Sequence, residues 1–470
     1  MRKGDLLENL YIETMAAEGK CVAKINGLVV FLQGGAPGDT VEATITKAKK
    51  SFLEARVTRV IKESDKRSKP FCTHFGTCGG CTWQHINYET QLYYKQKQVQ
   101  DNLERIGGLQ LPGINTIIGS AKTKQYRNKL DFTFTHSEWL TWEELQSEKI
   151  KGPALGFHIP RMFDKVFDVT ECHLQADPSN AIRLKTKEKA LQMQLPFFDL
   201  RSQEGFLRTL TIRTSISGET MVILQVTHNK MEWIEPLLQE LAGTFPELTS
   251  INYVINNKKN DTFHDLEVMT WRGNSYITEM MPKAGGDGVL QFRVGPKSFY
   301  QTNSEQAHAL YNVAWQLADF KGDELVYDLY TGTGTIANFV ADSVKKVIGL
   351  EYVADAIDDA KVNAQINGIK NTDFFAGDIK DLLNESFLSA HGKPDVIITD
   401  PPRAGMHEDV CKMILRADPK KIVYVSCNPA TQARDLKILS EQYEITAVQP
   451  VDMFPHTMHV ENVVSLTRRS

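Results

Sequence analysis

The sequence predicts an α/β protein in three parts, and three observations carry that prediction. From residue 6 to 62, short apolar runs are separated by turns such as Gly34-Gly35-Ala36-Pro37-Gly38-Asp39, with no long helix, the pattern of a small β-barrel. From about 110 to 295, further runs at 126–134, 209–214, 221–227, 251–255 and 275–279 describe β-rich material. From Val294 onward, strands alternate with helical stretches, as in a parallel sheet covered by helices. At 470 residues the chain is too long for one core, and the expected domains are 1–62, 63–295 and 296–470.

Composition places the chain among ordinary soluble globular proteins, with 41% hydrophobic and 24% charged residues. No run of 18 apolar residues occurs and no apolar signal core follows Met1, so a cytoplasmic protein with no membrane contact is expected. The net charge of -4 gives no global sign of a nucleic-acid partner. Residues 41–70 differ, with nine Lys/Arg against four acids, a local excess that attracts a phosphate backbone. Gly19 to Ala23, Asn26-Gly27, Val30-Phe31 and Ala36-Pro37-Gly38-Asp39 resemble a TRAM domain, an RNA-binding barrel of the OB type.

Seven cysteines, an odd set without an export signal, point to metal binding or catalysis rather than disulfides. Cys72, Cys78 and Cys81, with Gly79-Gly80 between the last two, can converge on one inorganic centre because glycine lets the backbone fold tightly. Cys172, in the polar stretch 170–174, is the best fourth ligand, since Cys21 belongs to the barrel and Cys411 to a helix. Four sulfurs suit zinc or an iron-sulfur cluster, and spacing does not separate the two. A helix is expected from Tyr88 to Ile106, with Leu92, Val99, Leu103 and Ile106 on one face and Gly107-Gly108 as its stop, packing on the C-terminal domain. Arg127 and Lys129 on one strand face are candidates to grip RNA phosphate. The acidic piece 137–149, with Trp139 and Trp142, has no functional reading.

In the last part, the strand 324–330 runs into Thr331-Gly332-Thr333-Gly334, where glycines let a ligand approach the backbone. A second strand ends at Glu351, placed to take both ribose hydroxyls; a third ends at Gly377-Asp378 and a fourth at Asp400-Pro401-Pro402-Arg403. No phosphate-cradling G-x-x-x-x-G-K is present, so an adenosine held by ribose and base, as in S-adenosylmethionine, suits the residues better than NAD. The fifth strand leads to Ser426-Cys427-Asn428-Pro429, at the strand ends where open α/β sheets keep their sites. A lone cysteine there is more often a small buried apolar residue than a nucleophile.

Its company alters that balance. Asp328 to Gly334, Asp400 to Gly405, Ser426 to Pro429 and Asp452-Met453-Phe454-Pro455-His456-Thr457-Met458-His459-Val460-Glu461 together resemble the RNA 5-methyluridine methyltransferases. The closest likeness is to the 23S ribosomal RNA uracil-C5 enzymes that combine a TRAM domain with a four-cysteine [4Fe-4S] cluster. The resemblance implies a Rossmann-like methyltransferase domain of class 2.1.1, with Cys427 as nucleophile and Glu461 as general base. It implies Gln301, Tyr330, Gly332, Glu351, Asp378 and Asp400 as cofactor positions. It implies Cys72, Cys78, Cys81 and Cys172 as ligands of the iron-sulfur cluster.

The chemistry asks for such a set. A thiolate adding to uracil C6 makes C5 nucleophilic, and a base must then remove the C5 proton. The uridine has to leave its stack, and Phe299 is positioned in sequence to stack on it. Arg403 after the two prolines disfavours a cytosine-C5 enzyme, which carries Cys there, and an adenine amino-methylating enzyme, which carries an aromatic. The expected substrate is 23S ribosomal RNA, with transfer RNA as the alternative and a non-catalytic ribosome assembly factor as the rival of another class. A monomer is expected.

Overall fold

The computed structural model describes residues 1–16 and 19–469. Its first five strands, β1 (Leu6–Met15), β2 (Cys21–Ile25), β3 (Leu28–Gln33), β4 (Thr40–Ala48) and β5 (Phe52–Lys62), close into a barrel in the order β1-β2-β3-β5-β4. Alternation in β1 sends Leu10 and Ile12 inward and Tyr11 and Glu13 outward. A bulge between Leu7 and Leu10, where Asn9 takes φ 52°, bends the strand so that the barrel closes. The buried Asp39 carboxylate accepts from Ala36 N and Ser64 N and pairs with Arg67 at 2.7 Å, tying a barrel turn to the exit of β5. Of the nine cations in 41–70, Lys47, Arg59 and Arg67 pair with acids; the other six have no acidic partner within 4 Å among the described residues.

Helix α1 (Tyr88–Asp101), capped by Asn87, ends in a π-helical turn at Asn102–Ile106. It packs on the C-terminal domain, with Val99 and Leu103 in the core. Ile106, expected on the same face, is 53% exposed, because the wider π turn rotates it off the apolar stripe.

The central region is a seven-stranded sheet in the order β12-β11-β10-β9-β6-β7-β8. Its strands are β6 (Lys129–Thr135), β7 (Ala154–His158), β8 (Val166–Asp168), β9 (Leu207–Thr214), β10 (Thr220–Val226), β11 (Ser250–Ile255) and β12 (Val268–Gly273), with only β10 and β11 parallel. The acidic piece forms α2 (Trp142–Leu145), held by a capping box between Thr141 and Glu144, and leaves Trp142 72% exposed. Helices α3 (Ser179–Gln192) and α4 (Met231–Thr244) bury Ile182, Ile234, Leu237 and Leu241 with the sheet's apolar residues.

A hairpin, β13 (Ile277–Pro282) and β14 (Val289–Val294), packs on helices α5 (Ser304–Ala318) and α7 (Ala354–Ile366) of the last region. That region is a seven-stranded sheet in the order β17-β16-β15-β18-β19-β21-β20. The strands are β15 (Leu325–Leu329), β16 (Lys346–Glu351), β17 (Thr372–Ala376), β18 (Val396–Thr399), β19 (Lys421–Ser426), β20 (Tyr443–Val451) and β21 (Glu461–Arg468). The first five are parallel, and β21 runs antiparallel to both β19 and β20. Helices α6 (Thr335–Val340), α8 (Ile379–Leu382), α9 (Glu385–His391), α10 (Glu408–Ala417) and α11 (Pro429–Leu439) complete the connections. Strands buried on both faces read as near-continuous apolar runs, which is why this sheet stood out in the sequence. Among the described residues, no helix is long and apolar enough to cross a membrane.

Candidate active site

The carboxyl ends of β15, β16, β18 and β19 open on a cleft of about 820 Å³. Tyr330, directly after β15, has φ 64°, a left-handed conformation that is strained for an aromatic residue and turns the chain sharply. Gly332 follows at φ 54°, and a Cβ there would meet no protein atom within 4 Å, so the turn's open side is free for a ligand. Glu351, closing β16, accepts from Gly332 N at 3.1 Å and from Val353 N at 3.0 Å. Each oxygen keeps a lone pair for a further donor, as a ribose diol requires.

Cys427 follows β19 and precedes α11, whose N-cap is Asn428 with Pro429 in the first turn. Asn428 Nδ2 and Thr431 Oγ1 donate to Arg403 O at 3.0 and 3.2 Å, joining the cysteine loop to the Pro401-Pro402-Arg403 loop. The thiol is partly exposed and lines the cleft. Burial, then the charges of Glu461 and Asp400, push it up to about 11, while Arg403 acts the other way. Glu461, the first residue of β21, is buried at the same cleft. Burial and then Asp400 raise it to about 8, opposed by Arg403. Asp400 itself rises to about 7 through burial and the neighbouring Asp328.

The cleft therefore brings together Cys427, Glu461, Gln301, Tyr330, Gly332, Glu351, Asp400, Phe299 and Arg127. Phe299 is 67% exposed in it. Arg213 on β9 donates to Ser298 O at 2.8 Å, and Asn128 Nδ2 donates to Gln301 O at 2.8 Å, so the central sheet holds the segment that presents Phe299 and Gln301.

Two expected site residues are not among those that line the cleft. Asp378 is not among the cleft-lining residues: it caps α8, accepting from Lys380 N at 3.2 Å, because an Asp after a strand and before a helix satisfies free amide groups there. Lys129 pairs with Asp131 at 3.1 Å on β6 and does not line the cleft, and Arg127, which does, precedes the strand instead of sharing its face. The Arg127 guanidinium lies over the Phe454 ring at 5.3 Å.

Sequence reasoning missed Tyr311, His264, Lys297, Arg403, Phe454 and His459 as cleft residues. Arg403, Phe454 and His459 sat inside motifs already singled out. Tyr311, His264 and Lys297 carry no local signal.

Cys72, Cys78, Cys81 and Cys172 line one small cavity of about 30 Å³, with Gly80 N donating to Cys78 Sγ at 3.4 Å. Burial pushes Cys78 up to about 12 and Cys81 up to about 11, and the other thiols of the set push the same way. Among the described residues, no group of three or more His, Cys, Asp or Glu is arranged to hold a metal ion. Four thiols lining one cavity are of the chemical type that thiolate ligation of iron or zinc uses.

Residues 267–469 match the tRNA (Uracil-5-)-methyltransferase family and residues 9–58 match the TRAM domain. Uncharacterized RNA methyltransferases of Bacteroides thetaiotaomicron and Porphyromonas gingivalis are 56% and 52% identical, over 97% and 98% of this chain and 100% and 99% of theirs. The crystal structure of Pyrococcus abyssi tRNA (uracil-54, C5)-methyltransferase with S-adenosyl-L-homocysteine superposes with a TM-score of 0.73 at 28% identity, covering 97% of this chain and 99% of that one. The chain belongs to the RNA uracil-5-methyltransferase family, whose members take their methyl group from S-adenosylmethionine.

Proposed function

We propose that the protein makes 5-methyluridine in 23S ribosomal RNA, with Cys427 as nucleophile and Glu461 as general base. The observation that carries this reading is the shared cleft: Cys427, Glu461 and Glu351 line one cavity with the glycine turn after β15. As a thiolate, Cys427 bonds through Sγ to uracil C6, and the C5=C6 electron pair shifts toward the C4 carbonyl as an enolate. S-adenosylmethionine supplies an electrophilic methyl group when bound. With the methyl group on C5, Glu461 takes the C5 proton, the C6–Sγ bond breaks with its electrons returning to sulfur, and the C5=C6 bond is restored.

In this reading Glu351 takes the ribose hydroxyls, while Gly332, Tyr330, Gln301 and Asp400 shape the rest of the cofactor pocket. Phe299 stacks on the flipped uracil and Arg127 meets its phosphate. Cys72, Cys78, Cys81 and Cys172 hold a [4Fe-4S] cluster whose part is to keep the segment around 71–86 in shape, since methyl transfer moves no net electrons. The charge of the bound iron would stabilise four thiolates that otherwise oppose one another's ionisation. Equal amounts of iron and acid-labile sulfide in anaerobically purified protein, lost in Cys172→Ser, test that assignment; protein devoid of iron contradicts it.

Transfer RNA is the second reading, favoured by the Pyrococcus abyssi neighbour, which acts on tRNA uracil-54. Mapping 5-methyluridine in a strain lacking the protein separates the two. One 23S position loses its methyl group in the first reading, and a transfer RNA position loses it in the second.

A further inference from the structure

Glu461 is the residue at which the β20–β21 hairpin opens: its register partner is Val451, the last residue of β20. The next residue, Asp452, begins the nine-residue connection and is completely buried. Its Oδ1 accepts from Lys95 Nζ at 2.6 Å and from Phe454 N at 3.0 Å, and its Oδ2 accepts from the Tyr88 hydroxyl at 2.8 Å. Lys95, on α1 and equally buried, also donates to Phe454 O at 2.9 Å. None of the three side chains that make this knot lines the cleft.

Two desolvated charges are a poor way to add stability, because their desolvation offsets most of their attraction. What such a pair can do is fix geometry, since any other arrangement leaves a charge buried without a partner. By bonding Asp452 and the carbonyl of Phe454 together, the lysine holds the start of the loop in one form beside the strand pair from which Glu461 emerges. We infer that the Lys95–Asp452 ion pair is a positioning device that sets Glu461 for removal of the C5 proton. This rests on the reading of Glu461 as the base and of Cys427 as the nucleophile.

The consequence is specific to one step. Addition of Cys427 to C6 and methylation of C5 do not use Glu461, whereas breaking the C6–Sγ bond waits for the C5 proton to leave. A displaced Glu461 leaves methylated RNA attached to Cys427. A variant with both charges removed, K95M combined with D452L, avoids a lone buried charge and is the variant to measure. With ordinary uridine RNA and S-adenosylmethionine, its turnover should fall about 100-fold, as for an angstrom-scale misplacement, while a protein–RNA adduct stable to denaturation builds up. Tyr88→Phe, which removes one hydroxyl from the knot, should show the same adduct at a lower level. Turnover within about threefold of the parent in the double variant, or no adduct in either protein, overturns the inference. Trapping of 5-fluorouridine RNA by the parent is the control. If the parent traps none, the reading of Cys427 falls and the inference with it; if it does while the variants accumulate nothing on uridine, the positioning role alone fails.

Discussion

Glu351 Oε2 accepts the amide hydrogen of Gly332 at 3.1 Å, so the acid that ends β16 and the glycine turn that follows β15 form one wall of the cleft. Replacing Glu351 with Ala removes a carboxylate with lone pairs to spare for ribose. Charge-assisted hydrogen bonds of this kind contribute about 1.5–3 kcal/mol, so the dissociation constant for S-adenosylmethionine should rise roughly 10- to 150-fold. Titration calorimetry reads this directly, and unchanged affinity would remove Glu351 from the cofactor pocket.

Phe299 stands 67% exposed inside a cleft, an arrangement that costs apolar contact with water and calls for a stacking partner. Base–aromatic stacking is worth about 1–3 kcal/mol, so Phe299→Ala should lower kcat/KM for RNA about 5- to 150-fold. Cofactor affinity should not change. Equal turnover by parent and variant would count against a flipped base at this ring.

The pH profile follows from the carboxylates. Only ionised Glu461 can take a proton from C5, and its carboxyl is raised to about 8, mainly by burial. Below that pH the protonated, inactive fraction grows, so single-turnover rates should climb from pH 6 to pH 8 or above. Cys427, raised to about 11, pushes in the same direction because its thiolate fraction also grows with pH. Asp400→Asn removes the neighbouring negative charge that helps hold the proton on Glu461, so the rising limb should move to lower pH. A flat profile, or a limb that stays in place in Asp400→Asn, speaks against Glu461 as the base.

How much of this was legible in the sequence depends on whether the cause was local. The buried parallel strands, with Glu351 at the end of one and Asp400 and Cys427 directly after two others, were readable because a strand covered on both faces must be apolar along its length and the polar residue at its end then stands out. The barrel was readable from alternation and turn residues. Asp378 shows a second use for such an acid, since after a strand it also serves as a helix cap, and the sequence pattern alone does not tell the two apart. Ile106 misled because a π turn leaves no mark in the residue types that would distinguish it from an α turn. Lys95 was invisible: a lysine amid the polar residues of α1 reads as solvated, and its partner lies 357 residues further on. Arg213, which holds the segment before Phe299, likewise shows its purpose only through a contact 85 residues away.

In the proposed mechanism Cys427 attacks uracil C6, and Glu461 then takes the proton from C5. RNA carrying 5-fluorouridine at the target position tests it most directly, since fluorine at C5 cannot leave as a proton and the addition product is held. With S-adenosylmethionine, the parent protein should form a denaturation-resistant adduct with this RNA, and Cys427→Ser should form none. An adduct that persists in Cys427→Ser, or no adduct with the parent protein, would contradict the account.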